Sequence, residues 1–313
     1  MCHAVVLPAN VFEPNLASLL KTLALPIGTQ TVSVDFVRVK YYIPAGVVAI
    51  MAAVKNWELR GIGVIFENVE SCAALGYLQR MDFFSGLGLE IPENFIRHDT
   101  GGNFLPVREI VPGVEFPVNA TAIEFGRCIA PSQTDARSLI EYASGELILN
   151  VMQHANGNGY VAAQYAPKYD MARIGVADCG IGLRESFRVS NSKHFTPDMS
   201  DADAITKALA SEISSKTHQP DSPNRGVGLT MMRLLMEKSL GRMFIASGAS
   251  WWYQDGTKPP ETGTFQGGVS VPGTVCSAGF QRDQIHLFFE MMKEARIALG
   301  LQSAESLDNL FLP

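Results

Sequence analysis

The 313-residue chain is 47% hydrophobic and carries a formal net charge of −6 with a pI near 5.6, which provides apolar material for two cores and no basic surplus for a phosphate backbone. Its 5 cysteines are scattered with no CxxC pair, which argues against a disulfide framework or a structural zinc site and for a reducing compartment. No signal-like core follows the N-terminus, and the longest apolar run, Ala45 to Val54, is about half of what spans a bilayer. A soluble cytoplasmic protein is expected, with neither membrane nor nucleic acid as its main partner.

Taken in order, Thr31 to Val39 is β-branched and predicts a buried strand. Pro44 then leads a helix through Val54, ended by Gly61 and Gly63. Val64-Ile65-Phe66 predicts the next strand, and Ser71 to Met81 a second helix closed by Gly86 and Gly88. Strand, helix, strand, helix is an α/β unit. Through Val34-Asp35-Phe36, the turn into a helix at Gly46 and the strand after Arg60-Gly61, residues 1–100 resemble the STAS domain of anti-sigma-factor antagonists. Regulated members of that family take phosphate on a Ser or Thr just before the helix-opening glycine. Ile43-Pro44-Ala45 has no hydroxyl, so that switch is chemically impossible here.

Residues 101–113, rich in Gly and Pro, predict a linker. Val114 to Phe125 predicts an interrupted strand, and Ser132 with Asp135 a helix start. The helix that follows contains Glu146, Asn150 and His154 at four-residue spacing, which places them on one face, and it ends at Asn156-Gly157. Two strands, Tyr160 to Tyr165 and Arg173 to Ala177, deliver Asp178-Cys179-Gly180-Ile181-Gly182. Glycines there let a backbone approach a flat ligand beside a hydrogen-bond-accepting carboxylate, although ordinary tight turns use the same residues. Arg225-Gly226-Val227-Gly228-Leu229 opens another helix, whose unpaired N–H groups and positive dipole end suit phosphate. Pro272-Gly273-Thr274 falls in a late strand. Trp251-Trp252-Tyr253 reads as core and edge packing, and Ile285 to Leu299 as a final helix.

In order and spacing, ExxxNxxxH, DxGxG, GxGL and PGT resemble the four nucleotide boxes of the GHKL ATPases, over residues 114–285. The resemblance implies the Bergerat fold, an α/β sandwich with helices on one face of a mixed, mostly antiparallel sheet, followed by a C-terminal helix and tail at 286–313. It implies ATP and Mg²⁺ as ligands. Asn150 would hold Mg²⁺, Glu146 would act as general base, and Asp178 supported by Thr274 would accept from the adenine amino group. Gly180 and Gly182 would close on the nucleotide, while Arg225, Gly226, Gly228 and Leu229 would meet the phosphates. Leu183 to Arg225 would form the lid. Within it Ser200 and Asp203 predict a capped helix, and Ser214 to Arg225 a segment that is mobile without nucleotide.

The only histidine before the boxes in the place of a phosphoacceptor, His98, lies in the linker without a helical hairpin, which disfavours a sensor histidine kinase. About thirty residues after the boxes are too few for a clamp's transducer domain. The expectation is an ATP-dependent serine/threonine kinase or slow ATPase acting on a regulatory protein partner. The alternative is a nucleotide-gated interaction module; either leaves a homodimer open.

Overall fold

The computed structural model describes residues 1–97, 103–132, 134–210 and 228–299. The expectations for His98, Arg225, Gly226, the Ser214–Arg225 segment and the end of the C-terminal tail lie outside these residues. The fold is α/β, built on two larger sheets.

The first sheet is parallel, in the order β1 (Cys2–Val6), β3 (Thr31–Asp35), β5 (Gly63–Glu67), with α1 (Leu16–Thr22) and α2 (Pro44–Leu59) in its crossovers. Two-residue strands β2 (Asn10–Val11) and β4 (Tyr41–Tyr42) pair beside it, and short helices α3 (Leu75–Arg80) and α4 (Phe83–Gly86) close the unit.

Helix α2 is the hinge of the architecture. Pro44 occupies its first turn, where a missing N–H costs nothing, and Gly61 at φ +74° lets Ile62 N–H and Gly61 N–H bond back to the Trp57 and Glu58 carbonyls. From Pro44 to Val54 it is apolar on all sides, as a segment buried on all sides must be. It packs against β5 and, on another side, against the second sheet. Val47, Val48, Ile50, Met51, Val54 and Trp57 are all buried. Each such side chain contributes about 1.5–3 kcal/mol before entropy costs, so parting the two halves would be expensive.

The second sheet has seven strands in the order β11 (Glu261–Thr264), β10 (Ser250–Asp255), β9 (Arg242–Gly248), β12 (Val271–Gln281), β8 (Met171–Asp178), β7 (Gly159–Ala166), β6 (Phe104–Ile110). Every pairing within it is antiparallel. Parallel pairs, which the mixed-sheet expectation put here, occur among the described residues in the N-terminal sheets. One face carries α5 (Val118–Ile129), α6 (Thr134–Asn150), α7 (Gly182–Val189), α8 (Asp201–Leu209) and α9 (Gly228–Lys238), with α10 (Phe288–Ala298) packed outside on α6 and α9. The other face carries α2.

Side-chain alternation sorts the two faces. Ala172, Ile174 and Val176 enter the helix-side core, while Tyr160, Ala162 and Ala177 join the core that holds α2. The core of the N-terminal half is therefore continuous with this face of the second sheet. Gly175 marks the closest approach, because a Cβ there would overlap the backbone of Pro44 and Ala45. Beside it Arg173 Nε meets Glu13 Oε1 at 2.6 Å, with side chains only 2% and 0% exposed.

Two expectations are corrected. Residues 104–110, placed in a linker, form edge strand β6, where Pro106 is tolerated within a bulge between Leu105 and Arg108. Val114 to Phe125, read as a strand from its β-branched residues, leads instead into α5. Ala122, Phe125, Gly126 and Ile129 are buried on one side at helical spacing, and tertiary packing overrides β-propensity. No helix among the described residues is long and apolar enough to cross a membrane.

Candidate functional site

The helix-side face ends in a cluster built by three strand termini. Asp178 closes β8 with the parity of Ile174 and Val176, so its side chain turns to the helix side. Its carboxylate is buried. Oδ1 accepts from Gly180 N–H at 2.8 Å and Oδ2 from Thr274 N–H at 3.1 Å. Burial pushes its pKa from 3.8 up to about 7 against the opposing pull of those two N–H groups. Thr274 lies opposite Ser247 in the β12–β9 ladder, and its hydroxyl reaches Ser247 Oγ at 3.4 Å. Ser247 in turn donates to the Gly273 carbonyl at 3.0 Å and accepts from Leu183 N–H at 2.9 Å. Sequence reasoning did not find Ser247, since nothing but strand order places it here.

The turn after β8 is held by close backbone packing. A Cβ on Gly180 would overlap the Ala155 carbonyl, whose oxygen accepts from Ile181 N–H at 2.8 Å. Gly182 adopts φ +73°, and a Cβ there would sit 2.8 Å from Ser247 Oγ. Both glycines are required by contact, as a DxGxG turn would need.

Helix α6 passes into a π-turn at Val151–Ala155 and stops at Asn156, φ 52°. This end of the helix supplies the Ala155 carbonyl, so the stretch from Glu146 to His154 and the Asp178 turn form one body. Glu146 is half-buried, and desolvation raises its pKa. Its Oε2 lies where a Cβ of Gly228 would be, which sets the carboxylate against the first turn of α9. Asn150 follows one helical turn on, with a buried Nδ2 that has no hydrogen-bond partner. An orphaned buried amide is costly and uncommon. His154 Nδ1 lies 3.4 Å from Ser186 Oγ of α7, a local contact of a helix end.

No family model matches this chain, and no curated protein does.

Above the cluster, α8 starts with the expected capping box. Ser200 Oγ accepts from Asp203 N–H at 3.1 Å, and Asp203 Oδ2 accepts from Ser200 N–H at 3.0 Å. Asp201 Oδ2 accepts from Ala249 N–H at 2.7 Å, which anchors α8 to the β9–β10 turn. Thr230 Oγ1 donates to the Ala210 carbonyl at 2.8 Å, so the end of α8 and the start of α9 adjoin. Half-buried Leu229 packs on both helix-side clusters. On the opposite side of the turn, Cys179 donates its S–H to the Ala52 carbonyl of α2 at 3.1 Å, and burial pushes its thiol up to about 12. That cysteine is a packing residue, not a nucleophile.

Among the predicted site residues, Glu146, Asn150, Asp178, Gly180, Gly182, Gly228, Leu229 and Thr274 lie on the same helix-side face, around α6, the β8 turn and the start of α9. The set offers one buried carboxylate as hydrogen-bond acceptor, a second carboxylate with a carboxamide one turn away, and the first described turn of α9. Such a set suits a flat amine-bearing base at one end and anionic groups at the other.

Proposed function

We propose that this chain binds Mg-ATP in the manner of the GHKL ATPases it resembles and acts as an ATP-dependent protein serine/threonine kinase or slow ATPase on a regulatory protein partner. The observation that carries the reading is the convergence of Glu146, the Asp178–Thr274 pair and the first turn of α9 on one face. The chain's residues fit the implied ligands. Glu146 and the Asn150 carbonyl offer oxygen donors of the hardness Mg²⁺ prefers, and the unpartnered Asn150 Nδ2 is a donor suited to a phosphate oxygen. When bound, the ion would neutralise phosphate charge.

Asp178 must accept from the adenine amino group as a carboxylate; its buried position makes that hydrogen bond selective for a donor at this point. Thr274 N–H on the neighbouring strand holds the carboxylate in place, and Ser247 of β9 bonds the adjoining Gly273 carbonyl. Glu146, whose pKa desolvation raises above the usual carboxylate value, is suited to take a proton from water or a substrate hydroxyl. Gly228, in the first described turn of α9, adjoins the Glu146 carboxylate.

A second reading, nucleotide-gated partner binding without phosphotransfer, is favoured by one observation. The Pro44–Ala45 turn, where a STAS-like acceptor would stand, has no hydroxyl and is sealed against Gly175. Calorimetry with Mg-ATP followed by radiolabel transfer against cell lysate tests both. Asp178→Asn abolishes binding in either case. Glu146→Gln with retained affinity and lost transfer supports the kinase reading. Retained partner binding with no transfer in the wild type supports gating, and no nucleotide binding by the wild type ends both.

A further inference from the structure

A cleft of about 510 Å³ opens on the side of the seven-stranded sheet away from Asp178, between α2, the segment joining α1 to β3, and residues 267–275. That volume is in the range of small-molecule sites. Its wall is apolar, formed by Leu20, Leu23, Ala49, Ala53, Trp57 and Val275. Its polar side chains include His3, Asn56 and Arg60, and no Asp or Glu lines it, in a chain whose net charge is −6. Arg60 caps the C-terminus of α2, is exposed, and makes no ion pair among the described residues. The carbonyl end of a helix repels anions, so an anionic ligand here depends on that guanidinium.

Two walls of the cleft also hold the Asp178 turn. Pro272 and Val275 flank the bulged Gly273-Thr274 step, whose Thr274 N–H bonds Asp178, and Ala52 accepts from Cys179. We propose that the cleft binds a small apolar monocarboxylate, with its chain along Leu25, Ile27 and Val269 and its head on Arg60, and that occupancy tightens nucleotide binding by bracing both walls. The coupling rests on the nucleotide reading above; the cleft itself does not.

Calorimetry of the full chain with decanoate, and with decan-1-ol as the uncharged control, tests it. Decanoate binds with a stoichiometry of one, and Arg60→Ala weakens it by at least about tenfold, the loss of one charge-assisted pair, while leaving decan-1-ol unchanged. Ala53→Phe fills the cleft and abolishes both. Equal decanoate affinity in Arg60→Ala, or undiminished binding in Ala53→Phe, overturns the site; since Arg60 is exposed, its variant decides even where Ala53→Phe fails to fold. Saturating decanoate raises Mg-ATP affinity about fivefold, and Mg-ATP raises decanoate affinity by the same factor. An unchanged affinity overturns the coupling. Failure of Mg-ATP to bind at all refutes the nucleotide reading, and the decanoate measurements still decide the cleft.

Discussion

Replacing Asp178 by Asn separates the cost of burying a carboxylate from its use. In the folded protein Asp178 titrates at about 7, against an ordinary 3.8. Below about pH 4 the group is neutral in both states, and above about pH 7 it is charged in both. Between these limits the folded chain holds a proton that the unfolded chain has lost, so its contribution to stability is full at low pH and is lost as pH rises to 7. The slope approaches about 1.4 kcal/mol per pH unit and the whole window amounts to about 4 kcal/mol. Asn removes that dependence but has one acceptor oxygen for the two N–H groups of Gly180 and Thr274, which costs about 1–3 kcal/mol. Urea unfolding from pH 4.5 to 8 is therefore expected to give stability curves that cross. Asp178→Asn is the less stable protein at pH 4.5 and is equal or more stable at pH 8. Parallel curves, with a constant difference across the range, would refute the desolvated carboxylate. Greater stability at pH 8 with lost ligand binding is the trade expected of a residue kept for function.

Other substitutions probe the frame around the site. Glu13→Ala leaves Arg173 buried and unpaired and lowers stability by about 3–5 kcal/mol in urea unfolding, whereas the double variant Glu13→Met with Arg173→Met recovers most of it. Gly175→Val drives a side chain into the Pro44–Ala45 backbone and lowers stability by about 1–3 kcal/mol or more; increased binding of an apolar dye reports α2 lifting from the sheet. Ser200→Ala removes the α8 cap and costs about 1 kcal/mol, measurable as a fall in melting temperature.

Much of the helix-side half was legible along the chain because its signals are local. The α8 cap, the end of α6 at Asn156, the glycine turn after Asp178 and the buried strand pairs β7 and β8 each depend on residues a few positions apart. The first strand, β1, and helix α1 carried no pattern strong enough to read. Edge strand β6 was hidden by Pro106, and α5 by its β-branched residues, since both depend on what packs against them.

The residues alone determined that α2 is a helix and that it is apolar on all sides as far as Val54. They could not say what covers it, because a partner surface more than a hundred residues away in sequence is set by strand order. Only the tertiary structure placed Gly175 beneath Ala45 and Arg173 opposite Glu13, and so packed the two halves against each other. The same applies to the candidate site. Glu146, Asp178 and Thr274 were visible as short strings, but the parity of their strands, the antiparallel register of β12 and the π-turn at the end of α6 decide that they share a face. Local spacing fixes conformation, whereas long-range pairing fixes which side chains meet.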